Sequence, residues 1–139
     1  MTLKLPLSII LPRKKKDDKK FYVNLNTYRN AHFHILSDAK NVYREAVRVA
    51  LGDRNKIDSL PPYQFTYTIH PQSRRRFDNS NICSIIDKFT CDALVDLGLL
   101  KDDSTEFISR TVYNPPGELR RDDPHCVLEI VSTGGNHHD

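Results

Sequence analysis

An α+β domain is what this sequence predicts: a mixed β-sheet with two helices packed on it, in the order β-α-β-α-β-β. Three observations carry that expectation. Segments 37–51 and 82–97 repeat apolar residues at steps of three and four, and each is closed by a glycine, Gly52 or Gly98. Segments 3–11, 63–70, 107–113 and 126–131 are rich in β-branched, aromatic or alternating apolar residues, as strands are. The chain has 139 residues, one ordinary domain's length, with no repeat and no stretch of linker composition. A single domain over 1–133 is therefore expected, followed by a flexible tail at 134–139.

Each element has its own signal. Leu3, Leu5, Leu7, Ile9 and Leu11 alternate, and Pro6 among them points to an edge strand. Pro12 and the Lys/Asp run after it make a loop, and 21–25 is a short strand or extended segment. Ser37 is an N-cap residue type before Ala39, Val42, Tyr43, Ala46, Val47 and Ala50, the apolar stripe of the first helix. Pro61-Pro62 breaks the chain before the strand 63–70, which Pro71 ends. Ile82, Ile85, Ile86, Phe89, Ala93, Leu94 and Leu97 define the second helix. Asn114-Pro115-Pro116-Gly117 turns the chain between the last two strands, opening a loop longer than a tight hairpin.

Composition narrows the function classes. Apolar residues make up 38% and charged residues 28%, a soluble balance. The longest apolar run, 5–11, is far short of the roughly 20 residues that span a bilayer. No signal-peptide layout is seen, so a cytoplasmic or nucleoid location and no membrane partner are expected. Cys83, Cys91 and Cys126 form no CxxC pair and read as buried apolar residues in a reducing compartment. His32 and His34 alternate, and His137-His138 lie in the tail, so no pair stands at zinc-finger spacing.

Net charge is only +3, but its distribution is informative. Arg13, Lys14, Lys15 and Lys16 with Lys19-Lys20 form one basic run, Arg74, Arg75 and Arg76 a second, and Arg120-Arg121 a third. Acids gather separately, at 87–103 and at Asp122-Asp123. Such separation suits a protein that grips phosphate with one surface and holds a metal with another.

The chemistry-bearing stretch runs from Arg74 to Asp103. Three arginines follow a strand, Asp78 comes next, and Asn81 stands at the helix start. Lys88 and Asp92 lie one turn apart on a stripe with Ser84, and Asp102-Asp103 follow Gly98. Hard Mg²⁺ or Mn²⁺ prefers carboxylate oxygens and water. Such an ion activates water and polarises a phosphodiester, a lysine offsets transition-state charge, and arginines clamp the flanking phosphates. Taken singly, each residue has a plainer explanation. Asp78 suits a helix N-terminus, Asp102-Asp103 a solvated turn, and Lys88 with Asp92 an i, i+4 surface pair.

Together these residues resemble the RusA family of phage and prophage Holliday junction resolvases. That family's pattern is a basic cluster, Asp-x-Asp-Asn, a helix with Lys four residues before Asp-Ala-Leu, a glycine, then Asp-Asp. Arg74, Arg75 and Arg76 match the basic cluster, Asp78 the first acid, and Asn81 the asparagine. Lys88 precedes Asp92-Ala93-Leu94 by four, Gly98 matches the glycine, and Asp102-Asp103 the final pair. Outside this segment the likeness is looser: Leu11-Pro12 after a first strand, Tyr43-Arg44 in a first helix, and an apolar last strand. The resemblance implies a RusA-like fold and a homodimer that binds four-way junctions or other branched DNA. It implies symmetric nicking with Mg²⁺ or Mn²⁺, as in recombination and repair. Asp78 and Asp103, with Asp102 adjacent, would be the metal ligands. Lys88 would be the helix lysine, and Arg74–Arg76 with Lys14, Lys15 and Lys16 would contact DNA.

Two departures stand out. Ser80 occupies the place of the second acid, either as a weaker metal ligand or as the helix N-cap. The helix is also about four residues longer before Lys88, which moves that lysine about 6 Å along the axis. A non-catalytic branched-DNA-binding protein on the same scaffold, and a small RNA-binding or phage accessory module, are the alternatives.

Overall fold

The computed structural model describes residues 1–134. Within them six strands and three helices follow one another: β1 (Thr2–Pro6), β2 (Ser8–Leu11), β3 (Lys19–Tyr22), α1 (Leu25–Asn30), α2 (Phe33–Leu51), β4 (Tyr63–His70), α3 (Asn79–Asp96), β5 (Ile108–Tyr113) and β6 (His125–Ser132). The main sheet is mixed, in the order β1-β6-β4-β5, and β2-β3 form a separate hairpin. The α+β class with a mixed sheet is thus observed. The element order differs from β-α-β-α-β-β in three places.

The first difference is the N-terminal strand, which is two strands. β1 pairs antiparallel with β6, while β2 turns away after Leu7 to pair with β3. Alternation survives the break, because Leu3, Leu5, Ile9 and Leu11 are all buried. The apolar pattern therefore cannot reveal the bend. Pro6 does mark an edge strand, since β1 ends the sheet.

The second difference is α1, a short helix where no element was expected; the short strand or extended segment expected at 21–25 begins within β3. Asn24 caps it by accepting the Thr27 amide at 2.8 Å. The third lies at the helix starts. α2 begins at Phe33 rather than Ser37, so Ser37 is interior, and α3 begins at Asn79 rather than Ile82. The extra turn of α3 is polar and escapes an apolar-periodicity test, whereas that of α2 carries Ile35 and Leu36, packed against the core ahead of Ser37. Both helices end where glycine predicts. Gly52 and Gly98 have φ of 62° and 84°, which favours a residue without Cβ.

β4 has the expected limits and alternates fully, with Tyr63, Phe65, Tyr67 and Ile69 buried. It runs parallel to β5 and antiparallel to β6. A parallel pair needs a crossover, and α3 supplies it, packed over the sheet beside α2. The last two strands are therefore not neighbours, because β6 inserts between β1 and β4. Leu94, Ile86 and Phe89 of α3 meet Tyr43 and Val47 of α2 and the inward residues of β4 and β6 in one core. Phe89 lies 5.6 Å from Tyr43 and 6.2 Å from Phe21, centroid to centroid, tying helices and hairpin together. All three cysteines are free and buried, as expected. No helix among the described residues is long and apolar enough to cross a membrane. The expected tail, with His137 and His138, lies outside the described residues from 135 onward.

Candidate functional site

The β4–α3–β5 crossover decides where the expected residues fall. Loops leaving the carboxyl ends of two parallel strands gather at one end of the sheet, where open α/β arrangements bind ligands. Here those loops are 71–78, with the three arginines, and 114–124, with Arg120 and Arg121. They are stitched together: the Arg120 amide donates to the Pro71 carbonyl at 2.8 Å, and the Gly117 amide to the Ile69 carbonyl at 2.8 Å. Gly117 is needed at that point, since a Cβ would come within 2.7 Å of the His70 ring. Asn79, in the first turn of α3, donates to the Asn114 carbonyl at 3.0 Å and anchors the helix to the same end.

Arg74, Arg75 and Arg76 are exposed, and none makes an ion pair among the described residues. Lys14, Lys15 and Lys16 sit in the β2–β3 turn, also exposed, and Arg13 braces that turn by donating to the Asp17 carbonyl at 2.8 Å. Arg120 is instead paired with Glu118 at 2.9 Å.

Asp78 is the N-cap of α3. Its Oδ1 accepts the Ser80 hydroxyl at 2.9 Å and, more weakly, the Asn81 amide at 3.4 Å. The cap is therefore Asp78. Ser80, read from sequence as a possible cap, lies in the first turn and donates to Asp78. Its hydroxyl props the carboxylate that the sequence assigns to a metal.

Asp102 also has a local role. It accepts the Ser104 amide at 2.8 Å, and hydrogen bonds from Ser104 hold its carboxyl below the usual range. Lys88 is exposed and makes no ion pair among the described residues. The i, i+4 partner suggested for it, Asp92, bridges instead to Lys40 of α2 at 3.3 Å. One turn on, Arg44 and Asp96 repeat that cross-helix pair at 3.2 Å.

The residue that sequence reasoning undervalued is Asp87. It stands in the middle of α3, half-buried, facing Tyr67 of β4. Its Oδ1 accepts the Tyr67 hydroxyl at 2.6 Å and the Cys91 thiol at 3.3 Å. Tyr113 of β5 packs edge-on against Tyr67, 6.0 Å between centroids. Burial pushes the Asp87 carboxyl up, the two hydrogen bonds pull it back, and the charge of Asp103 adds a further upward push. The same surroundings raise Cys83 to about 11 and Tyr113 to about 12, chiefly through burial. The signal was an acid one position after Ile85-Ile86 on an otherwise apolar stripe, with Cys83 and Cys91 four residues either side.

The acids thus divide by height along α3. Asp87 lies at mid-helix, bonded to Tyr67 and Cys91, and Asp103 follows the helix in an exposed loop. Asp78 caps the end, nine residues or about 13 Å up the axis from Asp87. Among the described residues no three His, Cys, Asp or Glu side chains are gathered closely enough to hold a metal ion. Mg²⁺ commonly takes only one or two carboxylates and completes its shell with water and substrate phosphate. Two carboxylates would meet that smaller requirement; the three-acid set of Asp78, Asp102 and Asp103 is not gathered among the described residues.

Compared with known proteins, the chain matches no protein-family model and no curated protein. The likeness to the RusA family rests on the pattern from Arg74 to Asp103.

Proposed function

We propose that this protein is a metal-dependent, structure-selective endodeoxyribonuclease resembling the RusA resolvases, which nicks four-way junctions or other branched DNA. The observation that carries the reading is the crossover itself. One helix has at its entrance arginines with no ion pair among the described residues, and at its middle a half-buried carboxylate, Asp87, held by hydrogen bonds from Tyr67 and Cys91. Cations for phosphate and acids for a hard metal are what phosphodiester hydrolysis requires. A bound Mg²⁺ or Mn²⁺ would supply an activated water and a polarised phosphate. Asp103 and Asp87 are the carboxylates to hold it, with Asp102 adjacent and Asp78 at the helix entrance. Lys88, exposed on α3 and without an ion pair among the described residues, would meet a phosphate oxygen. Arg74, Arg75 and Arg76, with Lys14, Lys15 and Lys16, would bind the flanking backbone.

Paired nicking needs two sites, most simply in a two-fold dimer. An open groove of about 770 Å³ between β1, β2 and α2 suits such an interface. Ile10 and Val49, 52% and 66% exposed, line it. The alternative reading, a non-catalytic branched-DNA-binding protein on the same scaffold, is favoured by Ser80 in the place of the family's second acid. A synthetic four-way junction incubated with and without Mg²⁺ separates the two. The nuclease nicks only with the metal, whereas the binding protein shifts the junction intact in both conditions.

A further inference from the structure

We propose that the cleft between β3 and the arginine loop binds unpaired nucleotides of DNA, with Tyr22 as the platform on which a base stacks. This rests on the DNA-binding part of the proposed function and assigns a substrate feature to a surface outside the acidic site.

The cleft has a volume of about 510 Å³. Lys20 and Tyr22 form one wall, and Gln72, Arg75, Arg76 and Phe77 form the other. No carboxylate lines it. None of its three cations makes an ion pair among the described residues, so the wall charge is uncompensated. That calls for an anionic occupant.

The aromatic component narrows the class of anion. Tyr22 is 52% exposed, an uncommon state for a large ring on a strand. Lys20 and Tyr22 are two apart on β3 and so share a face. The Lys20 ammonium lies over the Tyr22 ring, 5.0 Å from its centroid, so a positive charge covers one face and a base would stack on the other. A flat ring flanked by arginines and a lysine matches a planar base joined to phosphates. Paired bases keep their faces inside the duplex stack and present only edges, so the ring can stack only on an unpaired base. Phe77 in the opposite wall directly precedes Asp78, so a strand lying in the cleft leads its next phosphates toward the entrance of α3.

The test uses the full chain in metal-free buffer, so that binding is read without cleavage. A short fluorescein-labelled oligothymidylate and a blunt duplex of equal length are titrated by fluorescence anisotropy. Tyr22→Leu, which keeps an apolar side chain on β3, is expected to weaken oligothymidylate binding about tenfold, the scale of one missing base stack. Duplex affinity should stay within about twofold. Tyr22→Phe, which keeps the ring, should bind oligothymidylate as the wild type does. Unchanged oligothymidylate affinity in Tyr22→Leu would overturn the proposal, as would an equal loss on both probes. Tighter capture of oligouridylate would overturn the assignment to DNA, and equal competition by oligoglutamate would reduce the cleft to a charge patch. Duplex binding with no Tyr22 effect removes this inference alone, whereas no binding of either DNA removes the reading on which it rests.

Discussion

The first turn of α3 and its middle carry the same residue type in opposite surroundings. Asp78 is exposed, accepts bonds from its own turn, and is followed by polar residues. Asp87, about 13 Å further along, is enclosed by Tyr67, Cys91 and Tyr113, and burial raises its carboxyl. Around Asp78, Arg74, Arg75 and Arg76 make no ion pair among the described residues and the loops are held by backbone bonds, so charge there is free to meet a ligand. Around Asp87, the Tyr67 and Cys91 side chains come from the core, so that carboxylate is held in place and partly desolvated. A helix that crosses between parallel strands creates both environments at once, with an accessible end and a packed middle.

The largest effect expected from that contrast is on stability. Leu94→Ala, in the fully buried part of α3, should cost about 2–5 kcal/mol in urea denaturation. The triple change of Arg74, Arg75 and Arg76 to alanine should stay within about 0.5 kcal/mol per site, because those side chains touch solvent. The same triple variant should bind DNA more weakly. Its slope of log affinity against log salt should flatten by about one unit for each phosphate that the arginines no longer neutralise. An unchanged slope would make the triplet a solvated loop and erase the functional half of the comparison.

A smaller effect separates capping from charge at Asp78. Asp78→Ala should lower stability by about 0.5–2 kcal/mol, whereas Asp78→Asn should cap nearly as well. Loss of nicking in a stable Asp78→Asn protein would draw the helix entrance into the chemistry. Full nicking would leave Asp78 a cap and place the chemistry at mid-helix.

The smallest effect is a pH dependence. The folded protein raises the Asp87 carboxyl above its unfolded value, so between those two values the folded state binds more protons. Its contribution to stability is therefore fully present below the unfolded value and is lost as pH rises through the folded one. Asp87→Asn should remove that decline, so its melting temperature relative to wild type climbs with pH from the ordinary carboxylate range upward. A difference that stays flat with pH would mean that Asp87 is not desolvated.

Much of this contrast is legible in the residues, for reasons that differ by element. The inward alternation of β4 and the glycines after α2 and α3 have direct physical causes in side-chain period and positive φ, and those expectations held. The bend after Pro6 and the short α1 were hidden, because alternation continues through the bend and six residues are too few to show a helical period. The arginines and Asp78 were readable as a cluster in sequence. Asp87 was harder: its partners Tyr67 and Tyr113 lie 20 and 26 positions away, brought together only by the β4–α3–β5 crossover. Ser80 shows the opposite case, a local signal with two readings, metal ligand or helix cap, of which the cap is excluded because Asp78 holds that place.

Metal-dependent nicking is tested most directly by strand cleavage of a synthetic four-way junction, using the wild type and Asp103→Asn, each with Mg²⁺ and with chelator. Nicks are expected from the wild type with Mg²⁺ alone, none with chelator, and none from Asp103→Asn even where it still binds the junction. Cleavage by Asp103→Asn at the wild-type rate, or an intact junction under every condition, would contradict the proposed function.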